Sequence, residues 1–156
     1  MPKLITEFIG TFFLVLIIGL AVLSASALAP LAIGLRLTVL VYMGGHVSGA
    51  HYNPAITLAI FARGRLPAKD VVPYIVAQIS AAIVGAFVVQ VLLGQTFAPA
   101  PGAAVSVTAA LLSELLFTFL LCLVILQVAT AKATEGNQYY GLAIGFTVAA
   151  ADFASG

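Results

Sequence analysis

Charge is scarce in this chain. Only 7% of its 156 residues are Asp, Glu, Lys or Arg, where a soluble domain carries about 25%. With 63% hydrophobic residues and a mean hydropathy of +1.21, that scarcity excludes a water-soluble domain and implies a polytopic membrane protein. A net charge of +1 says nothing about nucleic acid, and no nucleic-acid partner is expected. Cysteine is almost absent too. Cys122 stands alone in an apolar run, which leaves neither a disulfide nor a cysteine metal set. The start, Met1-Pro2-Lys3-Leu4, leads straight into an apolar stretch containing Glu7, unlike a cleaved signal peptide.

What is present is a series of apolar runs long enough to cross a bilayer. Spans are expected at about Leu4–Leu23, Pro30–Gly44, Val71–Leu93, Val105–Ala129 and from Tyr139 to Gly156. Ser24-Ala25-Ser26 reads as a turn. Gln95 to Gly102, with Pro99 and Pro101, reads as an uncharged loop, and Lys132 to Gln138 as a polar connector. Arg63, Arg65, Lys69 and Asp70 form the main charged connector, with Pro67 near the start of the next helix. Lys and Arg collect on the cytoplasmic side of membrane proteins. A cytoplasmic N-terminus puts Lys3, Arg63, Arg65, Lys69 and Lys132 there and leaves no Lys or Arg in the outer loops. Arg36, inside a span, is the exception.

One stretch does not fit a spanning helix: Gly45-His46-Val47-Ser48-Gly49-Ala50-His51-Tyr52-Asn53-Pro54-Ala55. Pro54 suits a helix's first turn, where its missing N–H costs nothing. Asn53 before it is a favoured N-cap. A helix is therefore expected from Pro54 through Phe61, stopping at Arg63-Gly64-Arg65. At about 1.5 Å per residue it crosses only about half of a ~30 Å hydrocarbon core. Irregular backbone leading into such a half-helix is tolerated at membrane depth only inside protein or beside a wet cavity. The helix N-terminus carries partial positive charge. The Asn53 amide can donate to a solute oxygen, and the carbonyls of Gly49, Ala50 and His51 can accept from a solute.

The string GHxSGAHxNPA resembles the first signature box of the aquaporin and glycerol-facilitator (major intrinsic protein) family. The resemblance implies an all-α membrane protein: an inverted-repeat bundle of about five transmembrane helices and one re-entrant half-helix. It implies a multi-pass protein of the plasma (cell inner) membrane, a homotetramer when complete. Its function would be passive passage of water or small neutral solutes such as glycerol, with Asn53, Pro54 and Ala55 at the pore. It implies no catalytic residue and no cofactor. His46 and His51, with no acid or cysteine beside them, are not expected to bind metal. His46 is assigned a structural hydrogen bond and His51 a pore-facing carbonyl.

An internal repeat supports the inverted arrangement. Leu4-Ile5-Thr6-Glu7-Phe8-Ile9-Gly10-Thr11-Phe12 is echoed by Leu111-Leu112-Ser113-Glu114-Leu115-Leu116-Phe117-Thr118-Phe119. Leu31-Ala32-Ile33-Gly34 returns as Leu142-Ala143-Ile144-Gly145. Three spans separate the copies, so the second is upside down, and such repeats place a transport path at their interface. The spacing from Gly34 to Asn53, applied from Gly145, puts a second Asn-Pro-Ala at about position 164, past the last residue. The expectation is one incomplete channel domain over 1–156, its first repeat at 1–93 and the start of its second at 105–156. A truncated, non-conducting fragment, or a membrane subunit that needs another chain, is the alternative.

Acids in spans face the bundle interior. Glu7 and Glu114, each four residues before a Thr, are by resemblance expected to brace the amides of half-helix loops; which holds which loop stays open. Also by resemblance, Ile33 and Asp152 fall at two positions of the family's narrow outer filter. Ile33 is smaller than the aromatic residue common there, and Asp152 is an unusual filter residue. Arg36 has three open readings: snorkelling, pairing with an acid such as Asp152, or a subunit contact. Gln78 is expected to hydrogen-bond between helices. A remote alternative makes Ser48 the nucleophile of an intramembrane serine hydrolase with a nearby His as base.

Overall fold

A computed structural model describes residues 1–98, 100–102 and 105–155. Pro99 and Gly156, the latter closing the expected fifth span, lie outside the described residues. Among the described residues six α-helices follow one another: α1 (Pro2–Leu23), α2 (Ala29–Ser48), α3 (Pro54–Ala62), α4 (Ala68–Leu93), α5 (Val107–Thr130) and α6 (Tyr140–Ser155), with a 3-10 turn at Lys132–Thr134. Four of them, α1, α2, α4 and α5, are long and apolar enough to cross a membrane. The short α6 lies along α2, inside the same bundle. Most large apolar side chains point outward, as they do when lipid and not water surrounds the protein.

With lipid outside, burial alone cannot hold helices together, and close backbone approach takes over. The repeated glycines supply it. A Cβ on Gly145 would sit 2.4 Å from the Gly34 carbonyl oxygen, and one on Gly34 would sit 2.6 Å from that of Gly145. The two copies of Leu-Ala-Ile-Gly thus meet each other where α2 crosses α6. The helices run antiparallel, because Tyr42, further along α2, donates from its hydroxyl to the Gln138 carbonyl just before α6. α1 packs on both α2 and α4, and α3 lies between α4 and α5.

The second helix differs from its expected extent. It does not stop at Gly44 but runs on to Ser48, so the irregular backbone is only Gly49–Asn53. Gly44 and Gly45 read as helix breakers, since glycine costs about 0.5–1 kcal/mol inside a helix. Gly44 is instead a notch: a Cβ there would lie 1.8 Å from the Tyr52 hydroxyl oxygen. The helix ends at Gly49, whose φ of +89° few other residues adopt. α3 closes as its sequence predicts. Gly64, at φ +74°, donates to the Phe61 carbonyl, and Arg65 donates to that of Ile60.

Candidate functional site

The loop Gly49–Asn53 is shaped from outside itself. Glu7, fully buried on α1, accepts four hydrogen bonds. Its Oε1 takes the Ser48 hydroxyl at 2.7 Å and the His51 N–H at 3.0 Å. Its Oε2 takes the Tyr52 N–H at 2.7 Å and the Gln78 side-chain amide at 2.8 Å. A carboxylate with two oxygens turned on four donors is well satisfied despite its burial. The same Gln78 amide also donates to the Thr57 hydroxyl at 2.9 Å, which lies 3.2 Å from the His51 ring. Helices α1, α3 and α4 and the loop are thereby joined by one polar network.

That anchorage holds backbone that is unfavourable on its own. Ala50 and Tyr52 both have φ near +50°, a region costing about 1–2 kcal/mol for residues with a Cβ. The Tyr52 ring fills the space over Gly10 and Gly44, and its hydroxyl donates to the Leu40 carbonyl at 3.0 Å. Tyr74 on α4 donates to the Ser48 carbonyl at 2.8 Å. Tyr52→Phe keeps the ring and removes one hydrogen bond. It should lower stability by about 0.5–1.5 kcal/mol, read as a small drop in melting temperature of the purified protein. A loss large enough to prevent folding would show that the hydroxyl matters more than the wedge.

Asn53 caps α3, its Oδ1 accepting from the Ala55 N–H at 2.7 Å. This fixes the side-chain plane and leaves the Nδ2 hydrogens unspent among the described residues. Thr57 donates to the Asn53 carbonyl at 3.1 Å. With the N–H groups of His51 and Tyr52 turned to Glu7, the carbonyls of Gly49, Ala50 and His51 accept no hydrogen bond from a described residue. All three residues line a cavity of about 790 Å³ whose wall also includes Lys3 in the first turn of α1, Arg65 between α3 and α4, and Lys132 in the 3-10 turn. Asn53, Ile33 and Asp152 do not line that cavity.

The remaining candidates scatter. Ile33 is buried on α2 and Asp152 is half-buried on α6. Glu114 is exposed on α5 and accepts no hydrogen bond from a described residue. Its local sequence echoes that of Glu7, but no loop lies over it among the described residues. His46 sits exposed in the last turn of α2, facing the cavity and not the loop network. Ser48 is committed to Glu7, and the His51 ring to Thr57, so the two do not pair as nucleophile and base. Tyr52, Thr57 and Tyr74 carry no signal in the sequence as site residues. Gln78, a lone amide in an apolar span, does.

The sequence profile described as Major intrinsic protein matches residues 1–156. The chain belongs to that family. Among similar proteins, "Glycerol uptake facilitator protein-like 6" of Lactiplantibacillus plantarum is 39% identical over 96% of this chain and 73% of its own length. "Aquaporin Z" of Brucella melitensis is 36% identical, with coverages of 92% and 72%. "Aquaporin NIP1-1" of Arabidopsis thaliana is 35% identical, and the chain spans only 55% of it. Among solved structures, the aquaglyceroporin from Plasmodium falciparum superposes with a TM-score of 0.80 over 96% of this chain and 70% of that one. At 24% identity it speaks for the fold alone. As a major intrinsic protein, the chain is a multi-pass membrane protein built as a channel and not as an enzyme.

Proposed function

We propose that this chain forms a passive path for water or a small uncharged solute such as glycerol, with Asn53 as donor and the carbonyls of Gly49, Ala50 and His51 as acceptors. One observation carries the reading. Glu7 holds the N–H groups of His51 and Tyr52, and Gly49, Ala50 and His51 line the cavity, which supports their carbonyls as the acceptors. A neutral solute meets replacement hydrogen bonds there. A cation or proton meets the electropositive end of α3 and a desolvation cost. The arrangement belongs to one channel domain, first repeat 1–93 and second beginning at 105, in the plasma membrane with the N-terminus cytoplasmic. A homotetramer is the proposed assembly. A second reading, a subunit that conducts only with further polypeptide, is favoured by the exposure of Glu114 on α5.

Stopped-flow swelling of proteoliposomes tests the first reading. Vesicles carrying the chain should swell faster than empty ones in a glycerol or water gradient. Equal rates would sink conduction by this chain alone and support the second reading. Asn53→Ala removes both the donor and the cap. It should cost about 1 kcal/mol of stability while lowering flux far more than that loss of folded protein explains. Flux that falls only in proportion to folded protein would remove Asn53 from the path.

A further inference from the structure

Thr57 meets three partners with one oxygen, and their chemistry fixes where its proton lies. Its hydroxyl, fully buried on α3, has one hydrogen to give and two lone pairs to fill. The Gln78 amide nitrogen, 2.9 Å away, only donates. The Asn53 carbonyl, 3.1 Å away, only accepts. His51 Nδ1, at 3.2 Å, could do either. Gln78 cannot be turned end for end, because its oxygen would then face the Glu7 carboxylate, which accepts from the same nitrogen at 2.8 Å. Both Gln78 hydrogens are given away, and its Oε1 is buried with no partner among the described residues.

If Thr57 gave its proton to His51, its oxygen would face the Asn53 carbonyl oxygen with no hydrogen between them. One assignment makes all three contacts attractive. Gln78 donates to Thr57, Thr57 donates to Asn53, and His51 Nδ1 donates to Thr57. In a neutral ring the proton is then on Nδ1, and Nε2 is a bare acceptor. A Cβ on Gly49 would lie 3.1 Å from Nε2, and both Gly49 and His51 line the cavity. The ring's one hydrogen bond to a described residue is the one at Nδ1.

We propose that Thr57 is a positioning residue that holds His51 in its Nδ1–H form, so that the ring adds a fourth acceptor, Nε2, to the three carbonyls of the path. The opposite form would turn an N–H toward the cavity, a donor among acceptors. Because the same hydroxyl donates to the Asn53 carbonyl, the start of α3 and the ring are set together. The tautomer stands on the hydrogen bonds; the use made of Nε2 rests on the channel reading above.

The test is nitrogen NMR of the full chain carrying isotope-labelled histidine, at alkaline pH, where both rings are neutral. His46→Gln assigns the two sets of signals. His51 should show a protonated Nδ1 and a bare Nε2, whereas imidazole free in water favours the reverse, as exposed His46 should. A proton on Nε2, on both nitrogens, or shared equally between them would overturn the assignment. Thr57→Ser keeps the hydroxyl and should keep the Nδ1–H form. Thr57→Val removes it and should move the proton to Nε2; where valine does not yield folded protein, Thr57→Ala makes the same deletion. An unchanged tautomer without the hydroxyl would show that Thr57 does not set it. In vesicles, Thr57→Val should pass glycerol severalfold more slowly than Thr57→Ser, per folded protein. Equal flux in the two, with the proton moved in one, would remove Nε2 from the path. If the parent chain moves neither water nor glycerol, the channel reading fails while the spectra still decide the tautomer.

Discussion

Glu7→Gln should cost much of the protein's stability and all of its solute flux. Each carboxylate oxygen takes two donors: Ser48 and His51 on one, Tyr52 and Gln78 on the other. A glutamine replaces one of those oxygens with an NH₂ group. Turned one way its NH₂ faces the His51 N–H, turned the other it faces the Tyr52 N–H, while the Ser48 hydroxyl and the Gln78 amide can each reorient to accept. Orphaning a buried polar group costs about 1–3 kcal/mol, and loss of the charge weakens the remaining hydrogen bonds as well. That is a large part of the margin of a typical domain, about 5–15 kcal/mol. The loop would also lose what holds Ala50 and Tyr52 at positive φ, and its carbonyls would no longer be aimed. Gel filtration in detergent should show aggregated or heterogeneous protein, and any folded fraction should not accelerate vesicle swelling. A Glu7→Gln protein that melts and conducts like the parent would show that the loop holds its own shape.

Gly145→Val comes next in size. The first added carbon would lie 2.0 Å from the Thr38 hydroxyl oxygen and 2.4 Å from the Gly34 carbonyl oxygen. The hydroxyl can rotate away; the carbonyl belongs to α2 and cannot. The two helices must separate, and every contact along the crossing weakens with distance. Overpacking costs about 1–3 kcal/mol where side chains can yield, and more is expected where backbone must move. Gly64→Ala provides the comparison. Gly64 has positive φ but nothing within 4 Å of its would-be Cβ, so only the backbone penalty of about 1–2 kcal/mol applies. Thermal melts should rank Gly145→Val well below Gly64→Ala. The reverse order would mean that α2 and α6 are not held by close approach at Gly145.

Much of this arrangement is legible in the residues. Asn53-Pro54 announces a helix start, because a cap and a fixed φ are local chemistry. The paired Leu-Ala-Ile-Gly strings mark the crossing, because identical short sequences in an inverted repeat meet at the symmetry axis. The end of α2 is not legible. Gly44 and Gly45 look like breakers until Tyr52 occupies the space that the missing side chain of Gly44 leaves. Tyr52 itself gives no sign, since an aromatic residue in a short loop has no periodicity to betray which way it faces. The two acids make the point most clearly. Glu7 and Glu114 sit in echoing segments, Leu4–Phe12 and Leu111–Phe119, yet one is sealed under four donors and the other exposed. Only partners distant along the chain separate them, and local pattern does not contain those.

The distances along the chain between Glu7 and its partners carry a practical consequence. Its partners are 41, 44, 45 and 71 residues away. The signature box therefore does not contain its own architecture. Transplanted alone onto a foreign helical scaffold, the eleven letters from Gly45 to Ala55 would arrive without the acid and the amide that bend them, and would relax into an ordinary turn.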